Sequence, residues 1–173
     1  FWKACLKHFD TVKTPPAPLP TPSKIDTITD DASVAIKTLG LLPEDEGAWD
    51  EKLFHHWHVG EAAAHSKLKS FCQNSISEYN EARDRPDKNG TSRLSPHLHF
   101  GEISPGQVYH YVQQIRDKEQ IPSKGAEVFL SEIGWREFSY NLIYNIPTLP
   151  DAPLQEKFKN FKWDENPHAL KKW

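Results

Sequence analysis

The sequence contains no methionine, only two cysteines, and no apolar run approaching the roughly 20 residues of a membrane-spanning helix. Cys5 and Cys72 allow at most one disulfide, which excludes a disulfide-rich secreted scaffold and fits a reducing compartment. We therefore expect a cytoplasmic protein without a membrane partner. The chain begins at Phe1 rather than at methionine and stops at Trp173 among helix-forming residues, so we expect both ends to be cuts within a longer protein.

Common catalytic signatures are also missing. The sequence has no Walker loop, no Gly-x-Ser-x-Gly, no Gly-x-Gly-x-x-Gly and no zinc-ligand spacing. His55, His56 and His58 lie close together, but no cysteine or acid stands at a recognised ligand spacing from them. Hydrolase, dehydrogenase and metal-site interpretations therefore have no support, and we expect no metal.

Proline, in contrast, is abundant at 14 of 173 residues, above the average of about 5%. Five prolines fall within residues 14–24, which predicts an extended linker or strap. The net charge is −3, but residues 30–62 hold eight acids against Lys37 and Lys52, so the rest of the chain is net positive. A polyanion would have to bind outside that acidic stretch.

Helical periodicity dominates the rest of the chain, and no segment alternates with period two. The patterns predict a short helix over 32–42, an amphipathic helix from Gly60 to about Arg83, and a helix from Ser104-Pro105 to about Lys118. A long helix is expected over about 125–145, and a last one from Asn166-Pro167. The predicted fold class is all-α.

A hydroxyl-rich loop precedes one helical segment. Residues 90–96 read GTSRLSP, which places three hydroxyls and Arg93 beside free helix amides, a composition suited to phosphate or diphosphate. The alternative is that Thr91 or Ser95 only caps the helix.

Glu132, Trp135 and Arg136 share one face of the long predicted helix. They predict either a base-stacking and hydrogen-bonding surface or, structurally, an i, i+4 ion pair of Glu132 with Arg136 beside a core tryptophan. Tyr79 and Arg83 lie one turn apart; alone, their spacing favours a tyrosine on the apolar face and a solvated arginine.

Three motifs in order carry a resemblance to a known family. They are EYNEARD at 78–84, GTSRLSPHLHFGEISP at 90–105 and IGWREF at 133–138. Together they resemble the flavin-binding domain of DNA photolyases and cryptochromes, most closely of bacterial cyclobutane pyrimidine dimer photolyases. The resemblance covers about residues 60–173. It implies that 1–59 is an interdomain connection with a proline-rich strap and an acidic segment, and that 60–173 is the first part of a helical FAD-binding domain.

The resemblance implies roles for individual residues. Tyr79 matches a flavin-contacting tyrosine, and Glu132 and Trp135 match the catalytic acid and tryptophan that meet a flipped pyrimidine dimer. Arg83 matches a DNA-contacting arginine, with Arg136 in the same helical stretch as Glu132. The segment that wraps the FAD diphosphate is matched by Thr91, Ser92, Arg93, Leu94 and Ser95. The outermost tryptophan of the electron-transfer chain is matched by Trp163.

The implied activity is light-driven repair of pyrimidine dimers in DNA by electron transfer from reduced, anionic FAD, in a monomer whose antenna pigment lies on another domain. Two alternatives stay open: a cryptochrome that signals to a protein partner, and a helical interaction module without cofactor. Trp135 separates the repair enzyme from the cryptochrome, because plant-type cryptochromes commonly lack a tryptophan there whereas dimer photolyases retain it.

Overall fold

The computed structural model describes residues 1–12, 19–20, 22–26, 33–41, 49–119, 123–162 and 164–173. Every regular element in these ranges is helical, which confirms the predicted all-α class. The α-helices are α1 (Trp2–Thr11), α2 (Trp49–Phe54), α3 (Glu61–Asn74), α4 (Tyr79–Ala82), α5 (Ser95–His99), α6 (Pro105–Glu119), α7 (Ser123–Asn145) and α8 (Pro167–Lys172). Single 3-10 turns occupy Ile36–Leu39, Ile76–Glu78 and Glu156–Phe158.

Helices α3, α4, α6 and α7 enclose a hydrophobic core. The buried side chains of α3 recur every three or four residues, at Ala64, Leu68, Phe71 and Cys72, which is the pattern of a helix with one apolar face. The Phe71 ring meets Phe129 of α7 with ring centroids 4.7 Å apart. Each large side chain buried in this way contributes about 1.5 to 3 kcal/mol, so the α3–α7 contact is a main source of stability.

The amphipathic segment from Gly60 to Arg83 is not one helix. Helix α3 ends at Asn74, a 3-10 turn follows, and α4 begins at Tyr79. The first turn of α7 lies against this break, because a Cβ on Gly125 would stand only 2.0 Å from the carbonyl oxygen of Ile76. We attribute the break to this backbone-to-backbone approach, which the apolar spacing of the segment could not reveal.

The starts of α6 and α8 follow the predicted capping chemistry. The Gln107 amide donates to Ser104 Oγ at 3.1 Å, and Gln107 Oε1 accepts from the Ser104 amide at 2.8 Å, a reciprocal capping box. The Asn166 side chain accepts from the Ala169 amide at 2.9 Å. The predicted long helix is confirmed as α7, with bounds two residues earlier at its start.

Helix α1 was not anticipated from the sequence. It packs on α6 and α7: the Trp2 ring covers Gly134, where an added Cβ would lie 2.5 Å from the ring, and Phe9 stacks on Tyr109 with centroids 4.7 Å apart. Gly134 therefore has to be a glycine for α1 to lie where it does. The proposed boundary between 59 and 60 stays a prediction.

The helix predicted over 32–42 is wrong in extent. The described part of this stretch contains one 3-10 turn, and Gly40 after it has φ +63°, a left-handed conformation that ends the turn. Most of the proline-rich strap and most acids of the acidic segment lie outside the described residues, so both predictions stay untested.

Candidate functional site

The hydroxyl-rich loop is held tightly at its start. A Cβ on Gly90 would lie 2.5 Å from the carbonyl oxygen of Ala82, so only glycine allows the loop to approach α4 so closely. Ser75 Oγ, at the end of α3, donates to the Asn89 carbonyl at 3.3 Å. Leu94 is buried in the core. These contacts fix the position of the residues between them.

Arg93 has φ +51°, the one non-glycine residue of the described chain with a left-handed backbone. This conformation costs an L-residue about 1 to 2 kcal/mol, so the surrounding contacts must stabilise it. Strain of this kind concentrates at binding and catalytic sites. The conformation therefore makes Arg93 a candidate binding residue.

The capping interpretation of this loop is wrong. Helix α5 begins after Leu94 without a side-chain hydrogen bond to its first amides. The Ser92 hydroxyl accepts from the Leu94 amide at 3.4 Å, a contact within the loop. Thr91 and Ser95 are exposed, so their hydroxyls remain available to a ligand.

Part of the loop opens on a groove of about 500 Å³. Its walls are the loop, one face of α3 and the residue His58, and they carry hydroxyls, amides and cations but no carboxylate. The lining residues are His58, Ala63, Ser66, Lys67, Ser70, Phe71, Asn74, Ser75, Asn89, Thr91, Ser92 and Arg93. This donor set fits the diphosphate that the resemblance implies. Leu94, Ser95 and Tyr79 are not among the lining residues.

Tyr79 lies in the core, as the structural alternative held. Its ring meets Phe71 and Phe129 edge-on, with centroids 5.6 and 5.3 Å away. Burial raises the pKa of its hydroxyl, and the nearby Arg83 guanidinium opposes this shift. The tyrosine therefore supports the groove residue Phe71. A flavin contact for Tyr79 stays a prediction.

Arg83 and Glu132 form an ion pair between α4 and α7. The hydrogen bond that Arg83 donates to Glu132 raises the pKa of the guanidinium, which also lies 5.7 Å from the Tyr79 ring and 3.6 Å from Asp84 Oδ1. Arg83 is therefore not merely solvated. The predicted i, i+4 ion pair of Glu132 with Arg136 is wrong, because the Glu132 carboxylate pairs with Arg83 instead.

Arg136 points away from that pair. Its Nη2 donates to the Leu98 carbonyl at 3.0 Å, and its Nη1 pairs with Glu137. The predicted shared face of Glu132 and Arg136 is thus wrong: one contacts α4 and the other contacts α5. Arg136 fastens α7 to the helix that follows the hydroxyl-rich loop.

Trp135 is the opposite of a core tryptophan. It is 61% exposed on the well-packed helix α7, and its ring meets that of Phe138 with centroids 5.8 Å apart. Its place one turn after Glu132 brings an open aromatic face and a carboxylate to neighbouring positions on the surface. Such a face can stack on a planar ring.

A partly buried pair that sequence reasoning missed links α5 to the start of α3. His97 Nδ1 lies 2.5 Å from Glu102 Oε2, and Glu102 Oε1 accepts from the Gly60 amide at 2.8 Å. The hydrogen bond with His97 and that from Gly60 lower the pKa of the Glu102 carboxyl. Because Gly60 precedes the helix that forms one groove wall, the pair fixes that wall relative to α5.

The predicted electron-transfer residue Trp163 lies outside the described residues. In the ranges that the structure describes, no three metal-binding side chains come together, and no helix has the length and apolar character to span a bilayer. The α3 side of the groove was also missed from the sequence. In the sequence, this wall corresponds to a polar stripe at positions 66, 67, 70 and 74, beside the apolar stripe that predicted the buried face of α3.

Similarity to known proteins agrees with this arrangement. No protein-family profile matches the chain. The deoxyribodipyrimidine photo-lyase of Agrobacterium fabrum is 37% identical over 133 residues, covering 77% of this chain and 27% of that protein. Cryptochrome-2 of Arabidopsis thaliana is 32% identical over 183 residues, covering 100% and 29%. A bacterial class III photolyase from Agrobacterium tumefaciens has a similar structure, with a TM-score of 0.75 and 34% identity over 90% of this chain and 30% of that one.

The chain belongs to the photolyase/cryptochrome family. This confirms the family resemblance drawn from the three motifs, including its helical fold. The chain spans 27% and 29% of the two curated relatives, so activity, substrate and partners of a whole protein are matters of proposal.

Proposed function

We propose that this chain supplies part of a photolyase that repairs cyclobutane pyrimidine dimers in DNA, using light and reduced FAD. The observation that carries the proposal is Trp135, an indole 61% exposed on a rigid helix one turn from the carboxylate of Glu132. A flipped pyrimidine dimer needs such an aromatic face to stack on, with a polar group for its hydrogen-bonding edge.

The loop residues would hold the cofactor. Thr91, Ser92 and Arg93 line a groove without carboxylates, so their hydroxyls and guanidinium suit the FAD diphosphate, while Leu94 and Ser95 continue the wrapping segment. When bound, reduced anionic FAD supplies the electron that opens the cyclobutane ring. Tyr79 supports the groove from the core side.

The α7 residues would hold the lesion. Trp135 stacks on one side of the dimer, and Glu132 hydrogen-bonds its polar edge as negative charge develops there. Arg83 pairs with Glu132 in the structure, so in this proposal Arg83 would move from the carboxylate to a backbone phosphate when the lesion binds. Arg136 keeps α7 against α5 close to the DNA surface.

Other parts of the proposal lie further from the described residues. Trp163 would pass electrons to the flavin from the surface, and an antenna pigment would lie on a domain outside this chain. The protein would act as a cytoplasmic monomer on dimer-containing DNA, with largely sequence-independent affinity from phosphate contacts.

A second candidate is a cryptochrome that signals to a protein partner. It is favoured by the similarity to Cryptochrome-2 of Arabidopsis, which extends over the whole chain. Under this alternative, FAD would bind in the same groove but Trp135 would serve no lesion, and the chain would not raise affinity for damaged DNA.

A chimera tests the two candidates. Residues 60–173 replace the matching segment of the Agrobacterium fabrum photolyase, and the purified chimera is tested for bound flavin and, under blue light, for restoration of thymines in a dimer-containing oligonucleotide. We expect stoichiometric FAD and repair. A chimera that holds FAD but does not restore thymines, while the host enzyme does, would favour the cryptochrome alternative.

A further inference from the structure

The groove beside the hydroxyl-rich loop has a second wall that no motif predicted. Helix α3 presents Ala63, Ser66, Lys67, Ser70 and Asn74 to it, positions three or four residues apart and hence on one face. The Asn74 amide nitrogen donates to the Ser70 carbonyl at 2.8 Å and lies 3.3 Å from Ser70 Oγ. This wall is therefore formed by ordered polar groups on a rigid helix.

The two walls carry cations that face no carboxylate. Lys67 lies on the α3 wall, with Nζ 4.7 Å from the centre of the Trp57 ring. Arg93 lies on the loop wall. Neither forms an ion pair with another described residue. The Trp57 ring orients the ammonium but leaves its charge unneutralised.

The groove also has the size of a nucleotide site. Its volume of about 500 Å³ falls within the range of roughly 300 to 1,000 Å³ that small-ligand sites occupy. Cations on opposite walls suit a ligand with two adjacent negative groups better than a single phosphate, because each wall can then meet its own charge.

We propose that Lys67 and Arg93 clamp the diphosphate of a nucleotide between α3 and the loop. Lys67 supplies a point charge, Arg93 a forked donor, and the Ser66, Ser70 and Thr91 hydroxyls further donors. The inference rests on the proposed function for the loop wall and adds the α3 wall to it. It makes Lys67 a ligand-binding residue rather than a solvated surface lysine.

The 173-residue chain itself is the material for the test. Calorimetric titrations at low salt compare inorganic pyrophosphate, ADP, FAD and inorganic phosphate. We expect the first three to bind in competition with one another, and phosphate to bind at least tenfold more weakly. Lys67→Gln should weaken pyrophosphate, ADP and FAD about tenfold each.

The matched control is Lys69→Gln, which removes the same charge from an exposed position of α3 that does not line the groove. It should change each affinity less than twofold, and Lys67→Arg should keep most of the binding. Equal effects of Lys67→Gln and Lys69→Gln would overturn the clamp. So would a wild-type chain that binds no pyrophosphate, or one that binds pyrophosphate but not ADP.

The clamp and the proposed function can fail separately. If Arg93→Gln releases FAD from the chimera and Lys67→Gln does not, the loop assignment stands and the clamp is wrong. If the chimera holds no FAD while Lys67→Gln weakens ADP binding to the chain, the clamp stands and the flavin assignment is wrong.

Discussion

The groove and the α7 surface differ in whether their cationic side chains are paired with carboxylates. On the groove side, Lys67 and Arg93 form no ion pair with a described residue, and the walls carry no carboxylate. On the α7 side, Arg83 is paired with Glu132 and Arg136 with Glu137. Under the proposed function, this difference would make the groove a preformed anion site and the α7 surface a site whose polar groups exchange partners before a ligand binds.

Both regions are positioned by the contact between the start of α7 and the 3-10 turn after α3. Gly125→Ala should be the most damaging change, because its Cβ would stand 2.0 Å from the Ile76 carbonyl oxygen and 2.8 Å from that of Ser77. We expect a loss of about 3 kcal/mol in unfolding free energy, measured by urea denaturation.

Gly106→Ala is the matched control, since this glycine also lies in the first turn of a helix but its Cβ would be 3.6 Å from Phe9. It should be nearly neutral. Equal losses for both variants would mean that helix-start glycines, rather than this contact, set the cost.

Arg93→Gly separates binding from stability on the groove side. Glycine adopts φ +51° without the steric cost that arginine bears, so we expect the fold to gain up to about 1 kcal/mol while pyrophosphate affinity falls. Urea denaturation and calorimetry on one preparation measure both quantities. A variant that loses stability as well would show that the Arg93 side chain supports the loop itself.

Arg83→Gln is the corresponding change on the α7 side, and we expect the opposite sign. The Arg83 and Glu132 side chains are 30% and 35% exposed, so breaking their pair should cost only about 0.5 to 1 kcal/mol. A double-mutant cycle with Glu132→Gln gives the coupling energy. A coupling near zero would mean that the pair does not hold Glu132, and that no partner exchange precedes lesion binding.

Glu102→Gln should have the smallest effect, present at neutral pH and vanishing as the pH falls toward 3. The pKa of Glu102 is lowered in the folded chain, so its stabilising contribution is complete above the unfolded-state pKa of about 4.3 and is lost as the pH falls through the folded-state value. Unfolding free energies measured from pH 7 to pH 3 should fall less steeply in the variant. An unchanged slope would show that the link to His97 and Gly60 does not stabilise the fold.

The sequence predicted well what depends on local periodicity and capping. The start of α6 follows from Ser104-Pro105, and the end of α7 follows from Pro147, because the residue before a proline disfavours helical backbone. The buried positions of α3 follow from helical spacing. It failed where backbones touch: neither the Gly125 approach that ends α3 nor the Trp2 packing on Gly134 has a signal in periodicity, because both depend on residues far apart in the chain.

For the site, residue types singled out the 90–96 loop as a phosphate site, which stays a prediction, but they did not indicate the α3 residues opposite it. Arg83 and Glu132 are 49 positions apart, so their pairing could not be read from helical spacing, which favoured Arg136. Likewise, the polar stripe with Lys67 looks like an ordinary solvated face until the fold places the loop opposite it.

The most direct test of the account is the damage preference of the chimera, measured as the ratio of its affinities for a dimer-containing oligonucleotide and for the undamaged one. Trp135→Ala should remove about 1 to 3 kcal/mol of binding to damaged DNA and leave undamaged binding nearly unchanged, because phosphate contacts supply the latter. Trp135→Phe should keep part of the preference. If Trp135→Ala weakens both affinities equally, or changes neither, Trp135 is not the stacking wall for a flipped dimer and the central claim is wrong.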